Sequence, residues 1–168
     1  QKVARFIRGN FFVPDARKGW NSHAYAAAVK IVQTHAVRHW ITTSPPHSTQ
    51  LIGLKLQKDL GIKWIADFRD PWTDIYYYRK FYPIALTRWY EKGLERRVFS
   101  SCDALISVSP SWSRLYEKKG GLPKGSVHTL TNGFDPEDFG SLKPQRPEIF
   151  TLLYCLLYTS PSPRDLMR

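Results

Sequence analysis

The stretch Ile62-Lys63-Trp64-Ile65-Ala66-Asp67-Phe68-Arg69-Asp70-Pro71-Trp72-Thr73-Asp74-Ile75 decides the fold. An apolar run leads directly into Asp67, Arg69 and Asp70, and Pro71 then ends it. Short apolar runs bounded by turn residues read as buried strands, so Ile62–Phe68 is expected to be one. Asp67 at its end is costly to bury unless it is paired. Arg69 has two readings: it pairs with Asp67 or Asp70 as a local network, or it holds a phosphate bidentately.

Outward from this stretch, strand and helix patterns alternate. Asn21–His35 is alanine-rich, with Asn21 placed as N-cap and Ala24, Ala28, Ile31 and Val32 on one face. Arg38–Ser44 reads as a strand. His47–Gly61 reads as a helix with Ile52, Gly53, Leu56 and Leu60 on one stripe and Gly61 as its stop. Gly53 on that stripe implies close packing of helix on sheet. Ala85–Phe99 reads as a helix with Leu86, Tyr90, Leu94 and Val98 four apart. Asp103–Ser109 is a strand, and Ser109-Pro110 opens the next helix, with serine as cap and proline at the first helical position. Ser126–Asn132 is a further strand.

This alternation argues for an α/β domain, a Rossmann-like parallel sheet with helices on both faces. In such sheets ligands sit beyond the carboxyl ends of the strands. Four strand ends carry small, polar or charged residues: Thr42–Ser48, Asp67–Trp72, Ser107–Ser111 and Thr131–Asp135. Ser44, Ser48 and the helix start beside them either hold an anion or sugar hydroxyl, or simply cap the helix. His47 alone reads as a solvated loop residue. Asp67 or Asp70 would orient a sugar hydroxyl or accept its proton.

Between Trp72 and Arg97 aromatics and cations interleave. Membrane-interface, sugar-stacking and single-strand nucleic-acid surfaces share this pattern. Within the helix, Trp89 and Tyr90 read as core residues and the cations as their solvated side; Tyr76, Tyr77 and Tyr78 fall in a loop. The 168 residues carry a formal charge of +11 with 14% aromatics, which favours anionic partners without choosing among them. Cys102 and Cys155 have no metal-ligand spacing. No apolar run is long enough to cross a bilayer.

Together, "NFFVPDARKGW", "ITTSPPHSTQLIGLKL", "IKWIADFRDPWTD", "DALISVSPS" and "TNGFDPEDF" resemble the N-terminal domain of bacterial glycosyltransferases of family 4, group 1 type, from about Arg5 to Phe139. The resemblance implies a GT-B architecture of two Rossmann-like domains facing a cleft. The N-terminal domain binds the acceptor, and the C-terminal domain binds the nucleotide-sugar donor. It implies a retaining transfer without a metal or other cofactor, to a glycan or lipid-linked acceptor in bacterial envelope polysaccharide synthesis. It also implies a cytoplasmic location at the inner face of the membrane, with peripheral contact to anionic lipid. Arg69 and Asp70 take the catalytic position, and Ser44, His47, Ser48, Asp67, Trp72, Ser109 and Asn132 the acceptor or substrate contacts. Many relatives place a histidine where Arg69 stands, which leaves open whether Arg69 takes its role. The alternative is a basic, aromatic-rich binding module for anionic membrane or nucleic acid without catalysis. Nothing beyond the alternation supports a phosphorelay receiver.

The expected organisation is an N-terminally truncated domain over 1–139, a linker over 140–147, and the first strand of a further domain over 148–154. The tail over 155–168 resembles translated adapter sequence and is expected to be non-native. The family's glycine-rich loop and donor-binding glutamates have no counterpart here, so the sheet is expected to show an exposed edge and an uncovered face, and the chain by itself is expected to be inactive.

Overall fold

The computed structural model describes residues 1–140 and 149–150. They fall into two units, Gln1–Asn132 and Gly133–Arg168. The expected linker and the strand over 148–154 fall outside the described residues apart from 140 and 149–150, and the 155–168 tail does so entirely. In the second unit, Pro136–Phe139 forms a 3-10 turn capped by the Asp135 carboxylate, which accepts from the Glu137 amide at 2.9 Å.

The first unit is built on four parallel strands in the order β1 (His39–Ser44), β2 (Lys63–Phe68), β3 (Ala104–Ser107), β4 (Val127–Thr129). The helices are α1 (Lys2–Phe11), α2 (Asn21–His35), α3 (Ser48–Leu60), α4 (Ala85–Ser101) and α5 (Pro110–Gly120). This is the expected Rossmann-like α/β arrangement. Because the strand order advances one step at a time, right-handed crossovers place α3, α4 and α5 on the same side. There Trp64, Ala66 and Phe68 of β2 meet Val98, Phe99 and Tyr116 in one core. The opposite face carries Ile41, which is 61% exposed, on edge strand β1.

Gly53 is where α3 and β2 touch: a Cβ there would lie 2.1 Å from Trp64 Nε1. Only glycine admits the indole at that distance. Trp64 Nε1 in turn donates to Thr42 Oγ1 at 2.7 Å. Gly61 ends α3 in the left-handed region, at φ 63°. α5 starts as its sequence requires, with Ser109 Oγ accepting from the Trp112 amide at 3.3 Å and Pro110 at the first position.

Three helical expectations are corrected. Asn21 is not the N-cap of α2; its side-chain amide donates to the Ser48 carbonyl at 2.7 Å, tying α2 to the start of α3. Ile31 is exposed, and only Ala28 and Val32 of the expected face are buried. In α4, Leu86, Trp89 and Tyr90 are exposed, while Glu91 and Glu95 are buried in their place. The inward face is Thr87, Glu91, Leu94, Glu95 and Val98. The two acids can occupy it because each finds partners there, as described next.

Candidate functional site at the strand ends

The register aligns Ser44 with Phe68 and Ser107, so the β1, β2 and β3 ends finish at one level. Arg69 continues the ladder one step, its amide donating to the Ser44 carbonyl at 2.9 Å. Its side chain then folds back. Nε donates to Asp67 Oδ2 at 2.8 Å, and Nη1 donates to Asn132 Oδ1 at 2.9 Å. The guanidinium thereby neutralises a carboxylate that is only 3% exposed and joins the β2 end to the segment after β4. Asp67 Oδ1 remains buried without a partner. The local network with Asp67, one of the two readings of Arg69, is formed.

Asp70 is different. It is half-buried, makes no hydrogen bond or ion pair with its side chain among the described residues, and burial raises its carboxyl above the usual range. A carboxylate held at a strand end without an internal partner is free to accept a hydrogen bond from a bound hydroxyl.

Ser44 faces inward. Its hydroxyl accepts from Gln50 Nε2 at 2.9 Å, and the same amide nitrogen donates to the Asp67 carbonyl at 2.9 Å. Gln50 Oε1 accepts from Thr42 Oγ1 at 2.6 Å. Ser44 is therefore part of a buried network that locks the β1 and β2 ends together. Ser109 caps α5 as described. The start of α3 is already filled: Asp15 accepts from the Ser48 amide at 2.7 Å and from Ser48 Oγ at 2.9 Å. At Ser48 the chain's own carboxylate occupies that helix end, in the place where the sequence offered either a ligand contact or a cap.

His47 is not a solvated loop residue. Its ring stacks on Trp72 with centroids 5.3 Å apart and an angle of 4°, and on Phe68 at 5.9 Å. Burial between these rings lowers its pKa to about 4, against the pull of Asp15. Nδ1 is buried with no partner. The imidazole is therefore neutral at pH 7.

His47 and Trp72 line a cavity of 390 Å³ beyond the ends of β1 and β2. Its walls come from α1, the segment 12–17, the β1–α3 turn and the loop 72–81. Aromatic and proline side chains dominate, with Arg8 and Arg17 at the wall. Glu91 closes it; burial raises the Glu91 carboxyl, opposed by a short hydrogen bond from Tyr78 Oη.

The loop from Thr73 is fixed from behind. Glu95, fully buried, accepts from Thr73 Oγ1 at 2.8 Å and pairs with Lys119 at 2.6 Å. Lys119 also holds Asp74. Thus the sequence-derived residues divide. His47 and Trp72 line the cavity; Asp67, Arg69 and Asn132 form an ion-paired cluster; Ser44, Ser48 and Ser109 are committed to the framework. Sequence reasoning missed Asp15, Gln50, Glu91, Glu95 and Lys119. Acids four apart on a cationic helix gave the only signal for Glu91 and Glu95.

Among the described residues, no helix is long and apolar enough to cross a membrane. No curated protein and no solved structure matches the chain. The family model described as Glycosyltransferase Family 4 matches residues 3–138, which takes in every strand of the sheet and the whole strand-end cavity. The chain therefore belongs to glycosyltransferase family 4.

Proposed function

We propose that this chain forms the acceptor-binding half of a retaining, metal-independent GT-B glycosyltransferase, working with a second α/β domain that holds the nucleotide-sugar donor. The acceptor is a glycan or lipid-linked sugar of bacterial envelope polysaccharide synthesis. The observation that carries this reading is the 390 Å³ cavity beyond the β1 and β2 ends, walled by Trp72, Tyr77, Phe81 and Phe12 with Arg8 and Arg17 beside them. Flat apolar walls with a few cations suit a sugar ring that bears or sits near a phosphate.

In this reading the residues divide by task. Trp72 and Tyr77 pack against the acceptor ring. Asp70 accepts a hydrogen bond from the attacking hydroxyl and holds it in line. Arg69, kept rigid by Asp67 and Asn132, presents positive charge where the leaving diphosphate develops its own. Ser44, Ser48 and Ser109 act indirectly, by fixing the turns.

The test is sugar transfer by this domain joined to its donor-binding α/β domain, from a panel of nucleotide-sugars to lipid-extract and oligosaccharide acceptors, with the product anomer assigned by NMR. Transfer with retained configuration, undiminished by chelator, is the expected result. Inversion, or dependence on a divalent cation, would remove the mechanism; absence of transfer from every donor would remove the enzyme reading.

A further inference from the structure

We propose that a groove beside the strand-end cavity binds an acidic oligosaccharide, one whose sugar units carry carboxylates. The groove lies between the segment 73–83 and the first half of α4 and has a volume of 980 Å³. Binding there rests on the groove alone. That the same sugar chain reaches into the cavity rests on the acceptor reading above, which it deepens by giving the acceptor a charge and a length.

Three cations line the groove: Arg79 from the segment before α4, and Arg88 and Lys92 one turn apart on α4 itself. All three are exposed, and none is in an ion pair with a described residue. Arg88 is aimed by its own backbone contact, Nη1 donating to the Pro83 carbonyl at 2.9 Å, and its other donors stay open to a ligand. Asp74 is the one acid among the described lining residues, and Lys119 answers its charge from behind. α4 sends no carboxylate to this side, because Glu91 and Glu95 are buried. The groove is therefore a positive concavity without an internal counter-charge among the described residues.

Tyrosines supply flat walls between these charges. Tyr76 is 76% exposed and packs edge-on against Tyr77 at 5.1 Å. Tyr82 is exposed too and adopts φ 48°, the left-handed region that a tyrosine seldom takes. Asn10 holds it there by donating to its carbonyl at 3.2 Å, and the Tyr82 amide donates to the Arg79 carbonyl at 3.1 Å. A costly backbone conformation fixed at an exposed aromatic points to a ligand-facing position. Aromatic faces pack on the apolar faces of sugar rings, and guanidinium groups take carboxylates through paired hydrogen bonds. Stacked bases need a row of open aromatic faces. Here Tyr76 and Tyr77 meet at 83°, and Tyr78 turns its hydroxyl inward onto Glu91. Ile75 and Tyr78 line both the groove and the cavity, so the two spaces share a wall. In the acceptor reading, the terminal sugar occupies the cavity and the preceding acidic units cross that wall into the groove.

The experiment is titration calorimetry of the full chain with tetragalacturonate and with its neutral methyl ester, which keeps the same rings. Two variants accompany it: Arg79→Gln/Lys92→Gln and Tyr76→Ala. All three positions are exposed, so melting temperatures should match the parent; circular dichroism checks this. The expected result is that the acid binds at least about tenfold tighter than the ester, and that each variant weakens binding of the acid at least about tenfold. Equal binding of acid and ester, or binding of neither, would overturn the proposal. So would acid binding that either variant keeps, which marks general attraction to a basic surface, or tighter binding of an oligothymidylate of the same charge. No sugar nucleotide is present in the titration. Failure here leaves transfer to a neutral acceptor standing, and absence of transfer alongside full binding of the acid fails the enzyme reading instead.

Discussion

At Arg69 the competition is between a charge kept for a ligand and a charge used to bury another. The guanidinium sits 2.8 Å from an Asp67 carboxylate that has almost no solvent, so the pair acts as one unit. Because the guanidinium side chain is 34% exposed, removing it costs between the roughly 0–1 kcal/mol of an exposed ion pair and the about 3–5 kcal/mol of a fully buried one. Arg69→Ala should therefore unfold at lower urea concentration, by an amount within that range. The double variant Asp67→Asn/Arg69→Ala should regain much of the loss. Equal loss in both would mean that Arg69 stabilises through packing alone. Any kinetic effect of Arg69→Ala must be measured against that background. Asp70, without a hydrogen-bond or ion-pair partner among the described residues, carries no such burden.

At the scale of elements, the loop between β2 and α4 is held from two sides. Behind it, Lys119 of α5 joins Glu95, Thr73 and Asp74. Lys119→Met would leave Glu95 charged, buried and half-satisfied, since Oε1 already has no partner. A loss of about 3–5 kcal/mol in chemical denaturation is expected, and Glu95→Gln/Lys119→Met should restore part of it. In front, His47 stacks between Trp72 and Phe68 in its neutral form. Its folded pKa, about 4, lies below its ordinary 6.5, so the unfolded chain binds the proton more readily between those values. Its contribution to stability is complete above about pH 6.5 and is lost as pH falls towards 4. His47→Phe keeps a ring and cannot titrate. The stability difference between the two proteins should shift in favour of His47→Phe across that window, read by urea melts at pH 7, 5.5 and 4.5. Asp103, held down to about 2 by Lys63 and the Trp64 amide, acts below that range and does not confuse the comparison.

At the scale of the molecule, the alternation of periods placed all four strands and the helices α2 to α5, because apolar strand runs and glycine or serine stops are local signals. Gly53, Gly61 and Ser109-Pro110 were legible for the same reason. Contacts far apart in sequence were not. Asp15 reaches Ser48 from 33 positions away, and no local pattern announces it. The four-residue spacing of Leu86, Tyr90, Leu94 and Val98 misplaced half of the buried face of α4, because partners on other segments make Glu91 and Glu95 the better inward residues. The strand-end rule located the site, yet composition could not tell serines that hold the frame from residues that line the cavity. In the proposed reading the strand-end region of this family 4 domain binds the acceptor, and Asp70 positions its attacking hydroxyl. The most direct measurement is kcat for sugar transfer by Asp70→Asn in the enzyme that carries both domains, beside its melting temperature. A fall of at least about 100-fold is expected, with melting unchanged within about 2 °C. Turnover close to the parent's, in a variant that folds equally well, would contradict it.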